Sequence, residues 1–146
     1  DMALFLFTKN ILNGKSIEVF NNGEMVRDFT YVDDVIESIV RLLDKPASTN
    51  KNFNFFEPDP STSWAPHKIF NVGNSQPTNL KDFIQALENE LELNAVQELL
   101  PMQQGDVEIT SADSSKLYEW INYKPTTNIN TGIKKFVKWY RDYYSI

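Results

Sequence analysis

The stretch of sequence that decides the fold is NNGEMVRDFTYVDDV, residues 21–35. It opens with a turn-forming Asn-Asn-Gly run that stands between two short apolar runs, residues 17–20 and residues 29–32. An Asn/Gly loop between two short apolar runs is typical of a β-hairpin, because these residues tolerate a positive φ angle. The pattern therefore predicts two strands that pair with each other across the loop.

Arg27 is the only cation in the second predicted strand, where it stands beside Asp28 and Phe29. A surface strand can carry one arginine for solubility alone. A guanidinium also presents planar paired donors that match phosphate oxygens. An aromatic residue such as Phe20, at the end of the first strand, can cover a nucleobase. The stretch therefore favours a site for an anionic ligand, with Arg27 directed at it.

A second segment with the same tendency is PMQQGDVEITSADSSK, residues 101–116. It presents side-chain amides at Gln103 and Gln104, a turn at Gly105 and then the carboxylate of Asp106. A carboxylate in a loop can accept two hydrogen bonds, for example from the vicinal diol of a ribose. Taken together, the two segments predict a site for an anionic, nucleotide-like ligand.

The composition is that of a soluble globular chain of 146 residues, enough for one domain with a core. Its net charge of −6 argues against binding to nucleic acid, which needs an excess of lysine and arginine. The absence of cysteine excludes a disulfide framework, and the single histidine, His67, argues against a histidine zinc site. No apolar run approaches about 18 residues, so we expect no membrane span. The absence of cysteine fits a cytoplasmic protein, which is the expected location.

Hydrophobic periodicity predicts a small mixed α/β domain with the element order α-β-β-α-β-α-β-α-α. Helices are predicted for residues 2–13, from Asp33 or Asp34 to Lys45-Pro46, from Thr78 or Asn79 onward, and for residues 113–121 and 129–144; strands are predicted for residues 17–20, 26–32, 68–72 and 96–100. Residues 45–67 have no periodicity and contain four prolines, which predicts a loop insertion within a single domain spanning residues 1–146.

Three of the predicted helices carry apolar stripes that we expect to face the core. The stripe of the second helix is formed by Val35, Ile36, Ile39, Val40, Leu42 and Leu43. The stripe of the third helix is formed by Leu80, Phe83, Ile84, Leu87 and Leu91. The stripe of the last helix is formed by Ile133, Phe136, Val137, Tyr140 and Tyr144. The first helix is apolar on nearly all of its faces, which indicates burial on more than one side.

The sequence offers little support for catalysis within the chain. His67 lies in the proline-rich loop and is expected to be an exposed loop residue, so a nucleophilic triad is not supported. The adjacent acids Asp33 and Asp34 could form a general acid–base pair, but a role as helix caps is favoured, because the helix dipole stabilises carboxylates at an N-terminus. Neither a GxGxxG motif nor a P-loop occurs in the sequence.

Four segments together resemble a known family: DMALFLFTKNILNGK (residues 1–15), VFNNGEMVRDFTYVDDV (19–35), FNVGNSQPTNLKDFI (70–84) and LPMQQGDVEITSADSSKL (100–117). Their order and spacing are similar to those of the C-terminal part of nucleotide-sugar epimerases. These enzymes belong to the NAD-dependent epimerase/dehydratase family, within the extended short-chain dehydrogenase/reductase superfamily. The sequence most resembles the UDP-glucuronate 4-epimerases, which supply galacturonate for capsules and cell walls. The resemblance covers essentially the whole sequence.

The resemblance implies a role for each candidate site residue. Arg27 corresponds to the arginine that binds the UDP diphosphate, and Asp106 corresponds to the acid that holds the ribose hydroxyls. Phe20 corresponds to the residue beside the uracil, with the backbone of Glu18, Val19 and Phe20 at the polar edge of the base.

Gln103 marks a departure from part of the superfamily. It stands where many UDP-hexose epimerases carry a second phosphate-binding arginine, and the glucuronate-type enzymes share the difference. The resemblance therefore implies that affinity for the diphosphate rests more on Arg27.

In this family the reaction takes place on a Rossmann domain with a Gly-rich NAD loop and a Tyr-x-x-x-Lys pair. The tyrosine takes the proton of the 4-hydroxyl while NAD takes the hydride, the keto sugar turns over, and the hydride returns to its other face. Neither motif occurs in this sequence. The resemblance thus implies that the chain is the substrate-binding lobe of a longer parent, that its Rossmann domain is absent, and that the chain alone binds no NAD and is inactive.

Two other interpretations remain open. The parent could be a dehydratase or decarboxylase of UDP-sugars, since these enzymes differ in catalytic residues that lie outside this sequence. The chain could also be a non-catalytic interaction module. Self-association of the chain is expected as well, because apolar residues of the first helix would lie against a lobe that is missing: Met2, Leu4, Phe5, Leu6 and Phe7.

Overall fold

The computed structural model describes residues 2–146. Its elements in chain order are α1 (Ala3–Leu12), β1 (Ile17–Val19), the 3₁₀ turn Phe20–Gly23, β2 (Val26–Asp28), α2 (Val32–Leu43), β3 (Pro77–Asn79), α3 (Leu80–Leu91), β4 (Gln97–Leu99), α4 (Ser115–Ile121) and α5 (Ile129–Tyr144). This order confirms the predicted small mixed α/β fold. It also confirms a helix at every predicted place, a strand within residues 96–100 and an irregular segment at residues 45–67.

The chain divides into two compact units. The first comprises the segment that ends at Phe29 together with Gln76–Ser111 and Thr127–Ile146, and the second comprises Thr30–Ser75 and Ala112–Thr126. All four strands and helices α1, α3 and α5 belong to the first unit, whereas α2 and α4 belong to the second. None of the helices between residues 2 and 146 is both long enough and apolar enough to cross a membrane.

The core of the first unit forms where α3 and α5 pack on each other and on α1 and β1. The members from α3 and α5 recur mostly every three or four residues, as an amphipathic helix requires, and are at most 2% exposed: Phe83, Ile84, Leu87, Leu91, Ile133 and Val137. Phe29 stacks on Phe83 with ring centroids 4.6 Å apart, which ties the chain after β2 to this core. Tyr144 is 50% exposed, so its predicted place in the inward stripe of α5 is wrong at the last turn.

The predicted hairpin is wrong, because β1 and β2 pair with other strands. β1 lies parallel to β4, and β2 lies antiparallel to β3. Between β1 and β2, Asn21 and Asn22 both adopt a φ of 51° in the 3₁₀ turn, and Asn22 N–H donates to the carbonyl of Leu100 (3.0 Å). The turn therefore continues along the end of β4 instead of folding β2 back onto β1.

The strand predicted at residues 68–72 is also wrong. The segment contributes one isolated bridge, between Thr62 and Lys68, and the third strand is Pro77–Asn79, immediately before α3. At the end of the segment, Gly73 N–H donates to Ser114 Oγ (3.0 Å), which in turn donates to the Gly73 carbonyl (2.9 Å). Because a side chain satisfies both backbone groups, Gly73 needs no neighbouring strand.

The apolar stripe of α2 is largely exposed, which contradicts the prediction that it is buried. Four of its six members are 47–75% exposed: Ile36, Ile39, Val40 and Leu43. The buried residues of α2 are instead Asp34 and Ser38, and Ser38 Oγ donates to the carbonyl of Asp34 (2.8 Å). The second unit thus covers a polar side of the helix and leaves its apolar side open.

Asp34 is buried in the first turn of α2, where it accepts a hydrogen bond from the Tyr123 hydroxyl (2.8 Å). The N-cap of α2 is Tyr31, so the predicted capping by Asp33 or Asp34 is corrected; both acids lie in the first turn, where the helix dipole favours them. The Arg41 guanidinium lies 4.7 Å from the centroid of the Tyr123 ring. Burial, followed by the hydrogen bond to Asp34, raises the pKa of Tyr123 to about 12.

We expect Tyr123→Phe to lower the free energy of unfolding by about 1.5–3 kcal/mol, the scale for a lost hydrogen bond to a charged group. The folded pKa of about 12 exceeds the ordinary value of 10.0. The contribution of the hydroxyl is therefore complete below pH 10 and is lost as the pH rises from 10 to about 12. Urea unfolding at neutral and alkaline pH measures both effects, with Tyr118→Phe, at a half-exposed tyrosine of the same unit, as the control. Equal stability of wild type and Tyr123→Phe at neutral pH would contradict this role.

Candidate functional site

A cleft of about 610 Å³ opens in the first unit and is lined by residues of α1, β1, β2, β4 and the loop after β4. This volume is in the range of small-molecule sites, roughly 300–1,000 Å³. Five of the six site residues predicted from the sequence line the cleft: Glu18, Phe20, Arg27, Gln103 and Asp106. The fold therefore brings together the two segments that the sequence singles out.

Val19, the sixth predicted residue, belongs to the core. Its side chain is 0% exposed, and its carbonyl accepts a hydrogen bond from Leu100 N–H (3.0 Å) as part of the β1–β4 pairing. Val19 therefore anchors the strand, and any backbone contact with a ligand falls to its neighbours Glu18 and Phe20.

The second edge of β1 carries an open donor and acceptor. Within the described part of the chain, β1 pairs with β4 alone. The carbonyl of Val19 faces β4, and in a trans peptide the following N–H points the opposite way. Backbone groups of successive strand residues also alternate between the two edges. The Phe20 N–H and the Glu18 carbonyl therefore lie on the same open edge, one donor next to one acceptor.

Arg27 is held by a strand and a loop that are fixed to each other. Val26 N–H donates to the carbonyl of Glu108 (2.8 Å), and Thr110 N–H donates to the carbonyl of Val26 (3.0 Å). The guanidinium donates through Nη1 to the carbonyls of Val26 and Glu108 (3.0 Å each) and through Nη2 to Asp106 Oδ1 (2.9 Å). With 22% of its side chain exposed, Arg27 is anchored while part of its surface still faces the cleft.

Asp106 follows a turn in which Gly105 adopts a φ of 86°, a conformation that favours glycine. The turn is closed by a hydrogen bond from Asp106 N–H to the Gln103 carbonyl (3.2 Å). Asp106 Oδ1 accepts from both Arg27 and Val107 N–H (2.9 and 2.8 Å). The other oxygen, Oδ2, bonds to nothing in residues 2–146 and is available to a ligand hydroxyl.

One wall of the cleft is apolar, and the sequence predicts only Phe20 among its members. The residues that sequence reasoning misses come from α1, from the chain around β2 and from the start of α3: Ala3, Leu6, Phe7, Met25, Phe29 and Leu80. Their convergence depends on contacts between distant parts of the chain. The one signal in the sequence is that α1 is apolar on most faces, so that it serves both a core and a second surface.

The charges in the cleft are unbalanced. Glu18 and Glu98 are partners across β1 and β4 and both line the cleft, although like charges at opposing positions repel. Together with Asp106 they place three carboxylates around a single cation, Arg27. An anionic ligand would therefore depend on Arg27 for electrostatic attraction within this chain.

The remaining polar candidates belong to the second unit. His67 is exposed in the long loop, as predicted, and Asp34 is engaged by Tyr123. In the portion of the chain that is described, no three histidine, aspartate or glutamate side chains are grouped so that they could hold a metal ion.

Comparison with known proteins gives one consistent family. Residues 1–56 match the model of the NAD dependent epimerase/dehydratase family. The chain is 49% identical over 144 residues to Protein CapI of Staphylococcus aureus. This alignment covers 99% of this chain and 43% of that protein. It is 42% identical over 150 residues to UDP-glucuronate 4-epimerase 4 of Arabidopsis thaliana, covering 99% of this chain and 33% of that protein. The chain thus spans less than half the length of these relatives.

Among solved structures, the fold is similar to that of a variant of UDP-glucuronic acid 4-epimerase from Bacillus cereus, in complex with UDP-4-deoxy-4-fluoro-glucuronic acid and NAD. The TM-score is 0.78 at 28% sequence identity, and the similarity covers 99% of this chain and 41% of that one. The fold class expected from the sequence is therefore confirmed over nearly the whole chain.

Proposed function

Because this chain belongs to the NAD dependent epimerase/dehydratase family, we propose that it is the substrate-binding part of a nucleotide-sugar 4-epimerase. The whole protein would interconvert UDP-glucuronate and UDP-galacturonate with NAD. The observation that carries the proposal is the cleft in which Arg27 and Asp106 lie together with the open edge of β1. The similarity to two proteins named as glucuronate 4-epimerases supports the choice of sugar.

The open edge of β1 suits the uracil ring. The imide of uracil offers one N–H donor beside carbonyl acceptors, and the Glu18 carbonyl and the Phe20 N–H form the complementary pair. The ring of Phe20 supplies an apolar surface for the face or edge of the base. Backbone groups do not change with side-chain conformation, so this edge can orient the base firmly.

Two charged side chains, Asp106 and Arg27, can bind the ribose and the diphosphate of UDP. Asp106 Oδ2 can accept a hydrogen bond from a ribose hydroxyl, and the guanidinium of Arg27 can donate to the diphosphate. Gln103 lines the same cleft with a neutral amide, which can donate without adding charge. In this arrangement Arg27 is the electrostatic anchor of the ligand.

NAD does not fit the residues of this chain. The five glycines are scattered, no GxGxxG motif is present, and no tyrosine is followed by a lysine four residues later. When bound, NAD would accept a hydride from the sugar and return it. In the proposal, NAD is held by the part of the longer protein that lies outside this chain. This chain binds and orients the UDP portion. Measurable formation of UDP-galacturonate by the purified chain alone would contradict this division of roles.

A dehydratase or decarboxylase of UDP-sugars would recognise the same UDP portion and is the alternative activity. The product that the whole protein forms from UDP-glucuronate distinguishes an epimerase from a decarboxylase. An epimerase gives an isomer of unchanged mass, whereas a decarboxylase gives a pentose derivative with loss of carbon dioxide. An interaction module without catalysis is favoured only by the open stripe of α2, and it would leave the cleft without affinity for UDP.

We expect Arg27→Ala in the whole protein to weaken UDP binding by about 1.5–3 kcal/mol, the scale for a hydrogen bond to a charged group. This corresponds to roughly tenfold or more in the dissociation constant. Arg27→Lys should not restore full affinity, because an ammonium cannot reproduce the paired donors of a guanidinium. NAD affinity should stay unchanged, since the proposal assigns NAD to other residues.

Calorimetric titration of UDP measures the effect, with thermal melts to check the fold. Lys138→Ala is the matched control, because it removes one positive charge from an exposed position of α5 that does not line the cleft. Equal UDP affinity in wild type and Arg27→Ala would return Arg27 to the role of a solubilising strand residue.

A further inference from the structure

We propose that Asp106 is a positioning residue for Arg27, in addition to any contact that it makes with the ribose. Its carboxylate holds the guanidinium in the orientation that meets the diphosphate. The inference rests on the proposed function, because it concerns how a UDP ligand is held in the cleft.

The first support is that the loop carrying Asp106 is fastened to the strand carrying Arg27. Two backbone hydrogen bonds join Val26 to the chain at Glu108 and Thr110, and Val26 forms a parallel bridge with Ile109. The carboxylate and the guanidinium therefore start from positions that the backbone has already set.

The second support is the way in which the guanidinium is used. Nη1 is taken by two carbonyls and Nη2 by Asp106, whereas Nε makes no hydrogen bond to any residue that the structure describes. An arginine side chain has many rotamers, and a planar group with several donors performs best when one orientation is selected beforehand. The ion pair with Asp106 selects that orientation and leaves Nε for a ligand.

The third support is that the two oxygens of Asp106 have different surroundings. Oδ1 is occupied twice, by Arg27 and by Val107 N–H, and Oδ2 has no partner within residues 2–146. One carboxylate can therefore orient Arg27 through Oδ1 and still accept a ribose hydroxyl through Oδ2. The two roles do not compete for the same oxygen.

The negative charge of Asp106 also weakens binding of an anionic ligand, and a test must separate this effect from the orientation of Arg27. A carboxylate beside a diphosphate repels it. Deleting Asp106 therefore removes the restraint on Nη2 of Arg27 and at the same time relieves repulsion. Asp106→Asn and Asp106→Ala remove the same charge, but only asparagine keeps an oxygen that can accept from Arg27 and Val107. Comparison of these two variants therefore isolates the hydrogen bonds from the charge.

The experiment compares dissociation constants for UDP and for uridine in both variants of the whole protein, by NMR titration. Uridine has the base and ribose without the diphosphate, so a purely ribose-binding role gives the same Ala-to-Asn ratio for both ligands. We expect the ratio for UDP to exceed the ratio for uridine by about two- to fivefold, the lower part of the range for a net hydrogen bond. In an Arg27→Ala background this excess should disappear.

Equal ratios for UDP and uridine would overturn the inference and leave Asp106 as a ribose ligand. An excess that persists without Arg27 would overturn it too, because it would show that residue 106 acts on the phosphates directly. Failure of the wild-type protein to bind either ligand would instead overturn the proposed function, and this inference with it. Thermal melts of each variant show whether the substitution causes a general loss of fold. Asp106→Ser, whose shorter side chain also lacks the charge, serves as a second substitution at this position.

Discussion

The pairing of β1 with β4, rather than with β2, is the constraint on which the rest of the structure depends. It turns the carbonyl of Val19 towards β4 and leaves the opposite edge of β1 open. It also releases β2 to lie between β3 and the chain at residues 108–110, where Arg27 meets Asp106. A simple hairpin would have covered the open edge with β2 itself.

The Asn-Asn-Gly run makes that pairing possible. Asn21, Asn22 and Gly23 adopt positive φ angles of 51°, 51° and 79°, a conformation that is accessible to asparagine and glycine and strained for most other residues. A Cβ atom at Gly23 would also lie 3.0 Å from Cε of Lys81. Turn chemistry therefore indicates correctly that the chain turns here. It does not indicate which strand the chain meets afterwards.

The difference between helices and strands explains how much of the fold the sequence can predict. Helix positions follow from local periodicity, and α1, α3 and α5 lie close to their predicted ranges. The four strands have three residues each, too few for an alternating pattern to set their partners. Helix α2 is amphipathic as predicted. Periodicity shows only that one side of a helix is apolar, and it does not show what covers that side.

The same limit applies to the site. The chemistry of Arg27, Phe20 and Asp106, together with the family resemblance, is enough to identify these three residues in the sequence. The cleft then adds Glu98, Met25 and Leu80, which neither a motif nor a charge pattern marks out. Beside the open stripe of α2, three residues of the first helix region are 40–71% exposed: Met2, Phe5 and Leu6. Self-association through these surfaces stays a prediction. Phe7, one of the residues expected to take part in it, is buried in the core.

The most direct test of the central claim is a titration of isotope-labelled protein with UDP, monitored by NMR through the backbone amide and arginine Nε–H signals. If the open edge of β1 receives the base, the Phe20 amide and the Nε–H of Arg27 should shift strongly and saturate together. The Leu100 amide, which is already bonded to Val19, should change much less. A Phe20 amide that does not respond at saturating UDP, or shifts confined to residues outside the cleft, would contradict the claim that this cleft binds UDP.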